Sequence, residues 1–145
     1  MSAQTIRLLL REKECTIAAV APEISAFGAL AIMWANKTGA VLVVEHSRLL
    51  GIFSAKDYAS RVVLQGRDGH DIAVREAMTS PVVSARPDLN ILSAMKMMVV
   101  RDIRHLPIVE DERIVGGVTL ADLVRTVMKD QDFTIQQMTQ YISGR

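Results

Sequence analysis

The chain contains an internal repeat, which limits the folds it can adopt more than any other feature. When the sequence is shifted by 65 positions, residues 15–63 align with residues 80–128 without a gap, and nine of the 49 aligned pairs are identical. Asp57 with Asp122 is one of these pairs. A fixed-period repeat indicates that one structural unit occurs twice. Since two copies are too few to stack into a solenoid, we expect a closed pair related by a pseudo-twofold axis.

Each copy has the same order of apolar patterns. A short apolar run near a proline predicts a strand, spacings of three and four predict a helix, and two apolar runs around a polar turn predict a hairpin. A second helical pattern closes each copy. The predicted elements are a strand at 17–20, a helix from Ile24 to Trp34, a hairpin from Val41 to Phe53 and a helix from Tyr58 to Leu64, then a strand at 82–83, a helix from Leu92 to Val99, a hairpin from Leu106 to Val118 and a helix from Leu123 to Met128.

The predicted fold class is therefore α/β, of the α+β kind. It consists of two repeated strand-helix-strand-strand-helix units packed with pseudo-twofold symmetry, with short N-terminal and C-terminal helices added. The predicted divisions are an N-terminal helix and lead-in at 1–14, unit 1 at 15–64, a linker at 65–74, unit 2 at 75–129 and a C-terminal amphipathic helix at 130–145.

The C-terminal helix has its own predicted start. Thr134 is expected as the N-cap, with Gln137 three residues later, and Phe133 is expected to pack against Met138 as a hydrophobic staple. The apolar face of this helix either covers the protein's own core or makes a contact between subunits.

Composition excludes several classes of protein. Of the 145 residues half are apolar and 23% are charged, and the net charge of +1 does not fit a disordered chain or a nucleic-acid-binding surface. The longest apolar run, Ala26 to Ala35, is ten residues and too short to span a membrane. The lone Cys15 excludes an internal disulfide framework, and Met1 to Thr5 has no secretory character. We expect a soluble cytoplasmic protein.

A hydroxyl residue and an aspartate follow each predicted hairpin, as Ser54 with Asp57 and Thr119 with Asp122. The spacing is that of a capping box, which stabilises any helix start. The same geometry also suits a nucleotide, because a helix start binds phosphate and a carboxylate one turn later can accept hydrogen bonds from a ribose diol. Lys56 adds positive charge in the first copy.

The duplicated unit, the two boxes and the segment Arg104-His105-Leu106-Pro107-Ile108-Val109 together resemble a tandem pair of cystathionine beta-synthase (CBS) domains, as found in small bacterial CBS-pair proteins. The resemblance covers about residues 5–130. It implies that the aspartates bind ribose, the hydroxyls contact phosphate and the bases lie near the hairpin starts. It also implies a homodimer and adenine ligands such as AMP, ADP, ATP, S-adenosylmethionine or NAD. The nucleotide-binding residues implied in this way are Ile17, Ala18, Thr38, Gly39, Ala40, Val41, Ser54, Lys56, Asp57, Val83, Ser84, Arg104, His105, Leu106, Pro107, Thr119 and Asp122.

The two boxes differ in their neighbours. Ala55 replaces an acidic residue often found there in the family, and Ala121 stands where the first copy has Lys56. We therefore expect the first box to take the more highly charged ligand.

The sequence favours a non-enzymatic sensor of an adenine nucleotide (AMP, NAD or ATP), regulating a protein that the sequence does not identify. No metal is expected, because His105 has no acid, cysteine or second histidine nearby in the sequence. The alternative is a docking module that binds no ligand, in which both boxes are only helix caps. An enzyme ranks third, because no nucleophile, base and orienting group occur as a unit.

Overall fold

The computed structural model describes residues 4–12 and 17–143, so the predictions that concern Cys15 and the side chains of Phe133 and Gln137 lie outside the described residues. In both repeats a helix precedes a hairpin and another helix follows it. The described elements are α1 (Ile6–Glu12), β1 (Ala19–Val20), α2 (Ala26–Ala35), β2 (Ala40–Glu45), β3 (Arg48–Ser54), α3 (Ala55–Asp57) with a π-helical continuation (Tyr58–Val63), α4 (Val74–Ala77), α5 (Ile91–Arg101), β4 (His105–Glu110), β5 (Arg113–Thr119) and α6 (Leu120–Ser143).

The two hairpins are equivalent residue by residue. Both pair antiparallel, and each has a register irregularity at the same repeat position, after Val43 in β2 and after Ile108 in β4. Each hairpin turn contains two residues with positive φ. The predicted mixed α/β class with two repeated units is confirmed.

The predicted strand at 82–83 is wrong, although its counterpart in the first copy forms. β1 runs parallel to β2, where the Leu42 N–H donates to the Ala18 carbonyl over 2.8 Å. The repeat position of Leu42 is Pro107, which has no N–H to donate. In the second copy a single bridge between Ala85 and Ile108 replaces the ladder.

The closing helices also differ from the prediction. In the first copy a short helix passes into a π-helical turn, whereas α6 continues without a break from Leu120 to Ser143. The predicted helix start at Thr134 is therefore wrong. Because no glycine or proline interrupts residues 120–143, one long helix forms instead of two.

Each unit's core is completed by a segment outside its repeat. Ile6 and Leu9 of α1 lie in the core of the second unit, while Val74 and Ala77 of α4 lie in the core of the first. The packing therefore crosses the predicted boundaries at 14 and 74. The division into units stays a prediction, but these lead-in segments pack against the unit that does not follow them directly.

The units also contact each other through their hairpins. The Ile114 N–H donates to the Ser47 carbonyl over 2.8 Å, which joins the second hairpin to the turn of the first. A Cβ at Gly117 would lie only 2.9 Å from the Cδ1 of Ile17, so glycine allows the first unit's lead-in to pack closely on β5. Of the helices in residues 4–12 and 17–143, none has both the length and the apolar character needed to cross a bilayer.

Candidate functional site

The first box forms at the end of β3. The Ser54 Oγ accepts from the Asp57 N–H at 3.0 Å, and the Asp57 Oδ2 accepts from the Ser54 N–H at 3.0 Å. The hydroxyl of Thr79 also donates to Oδ2, over 3.5 Å. This reciprocal pair is a complete capping box, so the structural interpretation of the motif is confirmed.

The second box has the same pattern and one additional partner. The Asp122 Oδ2 accepts from the Thr119 N–H at 2.9 Å, and the Asp122 N–H donates to the Thr119 Oγ1 at 3.0 Å. In addition, the Arg125 guanidinium donates to the Asp122 Oδ1 at 2.9 Å. Asp122 is only 3% exposed. This aspartate is therefore held by a backbone amide and a cation at once.

A first cavity, of about 310 Å³, brings the first box together with residues of the second unit. Ser54 and Asp57 lie on one side, and the segment that precedes β4 lies on the other. Of the predicted site residues, Ala40 and Val83 also line it. The full lining is Ala40, Ile52, Ser54, Asp57, Thr79, Pro81, Val82, Val83, Asp102, Ile103, Arg104 and His105.

A second cavity, of about 830 Å³, brings the second box together with the end of α2. It contains Thr119 and Asp122 and, from the first unit, the predicted residues Thr38 and Gly39. The full lining is Asn36, Lys37, Thr38, Gly39, Arg104, His105, Thr119, Leu120, Ala121, Asp122, Val124 and Arg125. Each cavity therefore draws residues from both units.

His105 and Arg104 line both cavities. Burial lowers the pKa of the His105 imidazole below its ordinary 6.5, the positive charge of Arg104 lowers it further, and Asp122 acts in the opposite direction. The lowered pKa favours the neutral form of this imidazole, which lines both cavities.

Seven predicted residues line neither cavity. Most are held in the core or the sheets, whereas Lys56 and Ser84 are exposed. Ligand contacts by these residues stay predictions. The residues are Ile17, Ala18, Val41, Lys56, Ser84, Leu106 and Pro107.

Sequence reasoning missed several charged residues that line the cavities. Lys37 and Arg125 line the second cavity, and Asp102 lines the first. The sequence did contain a signal for Arg125, because it lies about one helical turn after Asp122, and residues three apart share a helix face. Lys37 and Asp102 occupy the same repeat position, at the end of α2 and of α5, and both have φ of 55°.

Within the described residues no group of three or more histidine, cysteine or acidic side chains is arranged to hold a metal ion. The structure thus provides no metal centre near either cavity in the part of the chain that it describes.

Comparison with known proteins places the chain in a family. A model of the CBS domain matches residues 74–129. The chain is 36% identical over 115 residues to the CBS domain-containing protein YhcV of Bacillus subtilis, covering 79% of this chain and 81% of that protein. The chain belongs to the CBS domain family. It is also 31% identical over 123 residues to the mitochondrial CBS domain-containing protein CBSX3 of Arabidopsis thaliana, which covers 81% of this chain but 60% of that longer protein.

Solved structures of CBS proteins have the same fold. A protein with CBS domains from Burkholderia ambifaria MC40-6 aligns with a TM-score of 0.80 and 32% identity, covering 88% of this chain and 96% of that chain. The CBS domain pair of protein MJ0100, in complex with 5′-methylthioadenosine and S-adenosyl-L-methionine, aligns with a TM-score of 0.75 and 25% identity, covering 89% and 99%. The chain is a CBS pair, a type of module that is generally regulatory rather than catalytic. Its cytoplasmic location, and the expected absence of nucleic-acid and membrane partners, stay predictions from the sequence.

Proposed function

We propose that this CBS pair is a non-enzymatic sensor that binds an adenine nucleotide, AMP, ATP or NAD, between its two units. The observation that supports this most is that a capping-box aspartate lines each of the two cavities, Asp57 in the first and Asp122 in the second. The ligands in the complex of the related MJ0100 pair, 5′-methylthioadenosine and S-adenosylmethionine, both contain adenosine.

The boxes leave chemistry for a ligand even while they cap helices. In each box the hydroxyl oxygen accepts from the aspartate N–H. Because a hydroxyl is also a donor, the Ser54 and Thr119 O–H groups can still donate to a phosphate oxygen. The ribose hydroxyls of the ligand donate to the carboxylate one turn later.

Regulation follows from the composition of the cavities. Asp57 comes from the first unit and Arg104 from the second, yet both line the first cavity. A ligand that contacts both units favours the relative arrangement in which it binds best, and it shifts the population toward that arrangement. The regulated protein, on another chain, responds to that shift.

A homodimer is part of the proposal. The side chain of Trp34 is 87% exposed at the rim of an apolar groove of about 860 Å³. Phe27, Leu30 and Met33 of α2 line the same groove. Exposed apolar surface of this kind is typical of a protein contact, and a second copy of the chain is the partner we propose.

Binding is tested by calorimetric titration of AMP, ATP, NAD and S-adenosylmethionine into wild type and into Asp57→Asn and Asp122→Asn. Asparagine keeps an oxygen that can cap the helix but removes the negative charge that a ribose diol prefers. The matched control is Ser25→Ala. It removes the N-cap of α2, in which the Ser25 Oγ accepts from the Gly28 N–H at 2.9 Å, and Ser25 lines neither cavity. Each aspartate variant should lose binding at its own cavity, and the control should bind as wild type does. Absence of heat with every ligand would refute the proposal.

The completeness of both capping boxes favours a second candidate, a docking module that regulates a partner without a small ligand. It predicts that nucleotides leave the melting temperature unchanged. A sensor predicts a rise, because a ligand that binds the native state stabilises it. Thermal unfolding of wild type with and without each nucleotide distinguishes the two.

A further inference from the structure

The two cavities of this CBS pair carry opposite charge. Two carboxylates, Asp57 and Asp102, line the first cavity together with one guanidinium, that of Arg104. The second cavity has one carboxylate, Asp122, and three cations: Lys37, Arg104 and Arg125. The sequence predicted the more highly charged ligand at the first box because of Lys56, but Lys56 does not line the first cavity.

The contrast arises at equivalent positions of the repeat. Lys37 lies two residues after the end of α2 and lines the second cavity, and its counterpart Asp102 directly follows α5 and lines the first. The counterpart of Arg125 is Ser60, which carries no charge. One backbone framework therefore presents cations to one ligand and carboxylates to the other.

Arg125 is hydrogen-bonded to the Asp122 carboxylate, the same group that a ribose would need. Its Nη2 lies 2.9 Å from the Asp122 Oδ1, and the Oδ2 already accepts from the Thr119 N–H. The Arg125 side chain is 58% exposed, whereas that of Asp122 is 3% exposed. The aspartate is fixed and the arginine is free to turn toward the cavity.

We infer that the second cavity selects a nucleotide with a polyphosphate chain, and that Arg125 moves from Asp122 to the phosphates when this ligand binds. The first cavity takes an adenosine compound without net negative charge. This inference rests on the proposed function, because it assigns ligand classes to the same two cavities. The phosphates replace Asp122 as the acceptor for the Arg125 guanidinium, and the ribose hydroxyls replace Arg125 as donors to the Asp122 carboxylate. A ligand without phosphate offers no such exchange, so it competes with Arg125 for the carboxylate.

The test compares ATP with adenosine in calorimetric titrations of Arg125→Gln, made in the Asp57→Asn background to weaken the first cavity. A charged hydrogen bond contributes about 1.5 to 3 kcal/mol, so the preference for ATP over adenosine should fall by roughly tenfold or more. Adenosine binding at the second cavity should tighten in the same variant, because Asp122 is released. Lys129→Gln, which removes an exposed cation one turn further along α6, is the matched control and should change neither ligand.

A charge exchange at the repeat position gives an independent readout. Lys37→Asp should weaken ATP at the second cavity, and Asp102→Lys should make the first cavity accept ATP. Both residues already adopt the same positive φ of 55°, so the exchange requires no change of that backbone angle. Raising the salt concentration should weaken ATP binding and leave adenosine binding nearly unchanged.

The outcomes separate this inference from the proposed function. If ATP and adenosine bind but Arg125→Gln weakens both equally, or changes neither, the charge selection is wrong and the sensor proposal stands. If wild type binds no adenine compound, both fail. A loss of the preference for ATP over adenosine in Arg125→Gln supports the inference, because a merely structural arginine would change the binding of both ligands alike.

Discussion

Arg7 and Glu110 form a two-pronged ion pair, with Nη2 at 2.7 Å from Oε2 and Nη1 at 3.4 Å from Oε1. Arg7 belongs to α1, and Glu110 ends β4, so the pair attaches the N-terminal lead-in to the second unit. The first unit has the same contact in looser form, between Arg75 of α4 and Glu45 of β2 at 3.7 Å. The lead-ins are thus a second repeated feature of this CBS pair.

The Arg7–Glu110 pair predicts a pH dependence of stability. The hydrogen bond from Arg7 lowers the pKa of the Glu110 carboxyl below its ordinary 4.5. A lowered carboxyl pKa adds stability above the unfolded-state value, and that stability is lost as the pH falls through the folded-state value. We expect Glu110→Gln to unfold at a slightly lower temperature than wild type at pH 7, with the difference shrinking as the pH falls below 4.5. Melting curves across this range measure it.

The control for this prediction is Glu45→Gln in the looser counterpart. Because the Arg75 guanidinium lies 3.7 Å from the Glu45 carboxylate, Glu45→Gln should change the melting temperature less than Glu110→Gln does. An equal effect of the two variants, or a difference between Glu110→Gln and wild type that does not shrink as the pH falls below 4.5, would contradict the assignment.

Packing of the second lead-in on the first unit is tested at Gly51. A Cβ there would collide with the Met78 side chain and lie 2.9 Å from the Thr79 carbonyl oxygen. Since overpacking of this kind destabilises by about 1 to 3 kcal/mol, Gly51→Ala should lower the free energy of unfolding by about that amount. In Gly39→Ala the new Cβ would approach only the His105 Cε1, at 3.9 Å, so this variant should be close to neutral. Urea unfolding of both variants makes the comparison.

The repeat was sufficient to predict the two hairpins and the helix that precedes each of them. Both hairpins and both long helices of the units occur where apolar spacing places them. The correspondence between the two lead-ins was not predicted, because the donors Arg7 and Arg75 are 68 residues apart whereas their carbonyl acceptors Pro87 and Pro22 are 65 apart. A gap of three residues hides this correspondence from a search without gaps, and only the packing reveals which core each lead-in completes.

The candidate site was only partly predictable. The residues of both boxes followed from their spacing, because a capping box is a local feature. Which residues share a cavity depends on how the two units face each other, so Lys37 lines the same cavity as Thr119, and Asp102 the same cavity as Ser54. Local patterns carry no information about that orientation. The charged residues that one unit contributes to a cavity containing the other unit's box were therefore missed.

The two capping aspartates should differ in their effect on stability. Asp57→Ala removes a cap at a half-buried position, a change of about 1 kcal/mol. Asp122→Ala removes a buried carboxylate that holds both the Thr119 N–H and Arg125, and lost hydrogen bonds to a charged group contribute about 1.5 to 3 kcal/mol. We expect Asp122→Ala to be the less stable variant in chemical denaturation. Equal losses would mean that Arg125 contributes nothing to the fold.

The His105 imidazole should make the stability of the fold depend on pH in a higher pH range than Glu110 does. Burial, assisted by Arg104, lowers the pKa of its imidazole in the folded state, while Asp122 raises it in part. The unfolded chain therefore takes up a proton first, and stability falls as the pH drops below about 6.5 until the folded-state pKa is passed. His105→Gln should remove this loss between pH 7 and pH 5, as measured by urea unfolding at each pH. The exposed His46, changed to Gln, serves as the control and should leave the pH dependence unchanged.

Trp34 provides the test of self-association. Its side chain is 87% exposed beside Phe27, which is 42% exposed, although both are strongly apolar. If a second copy covers this groove, a charge at its rim should separate the copies, because burying an unpaired carboxylate is strongly unfavourable. We expect wild type to have the mass of a dimer and Trp34→Glu that of a monomer, by light scattering after size-exclusion chromatography. Arg113→Glu, an exposed change on the second hairpin, should stay dimeric. A wild type that is monomeric at every concentration, or a dimeric Trp34→Glu, would remove this groove as the interface.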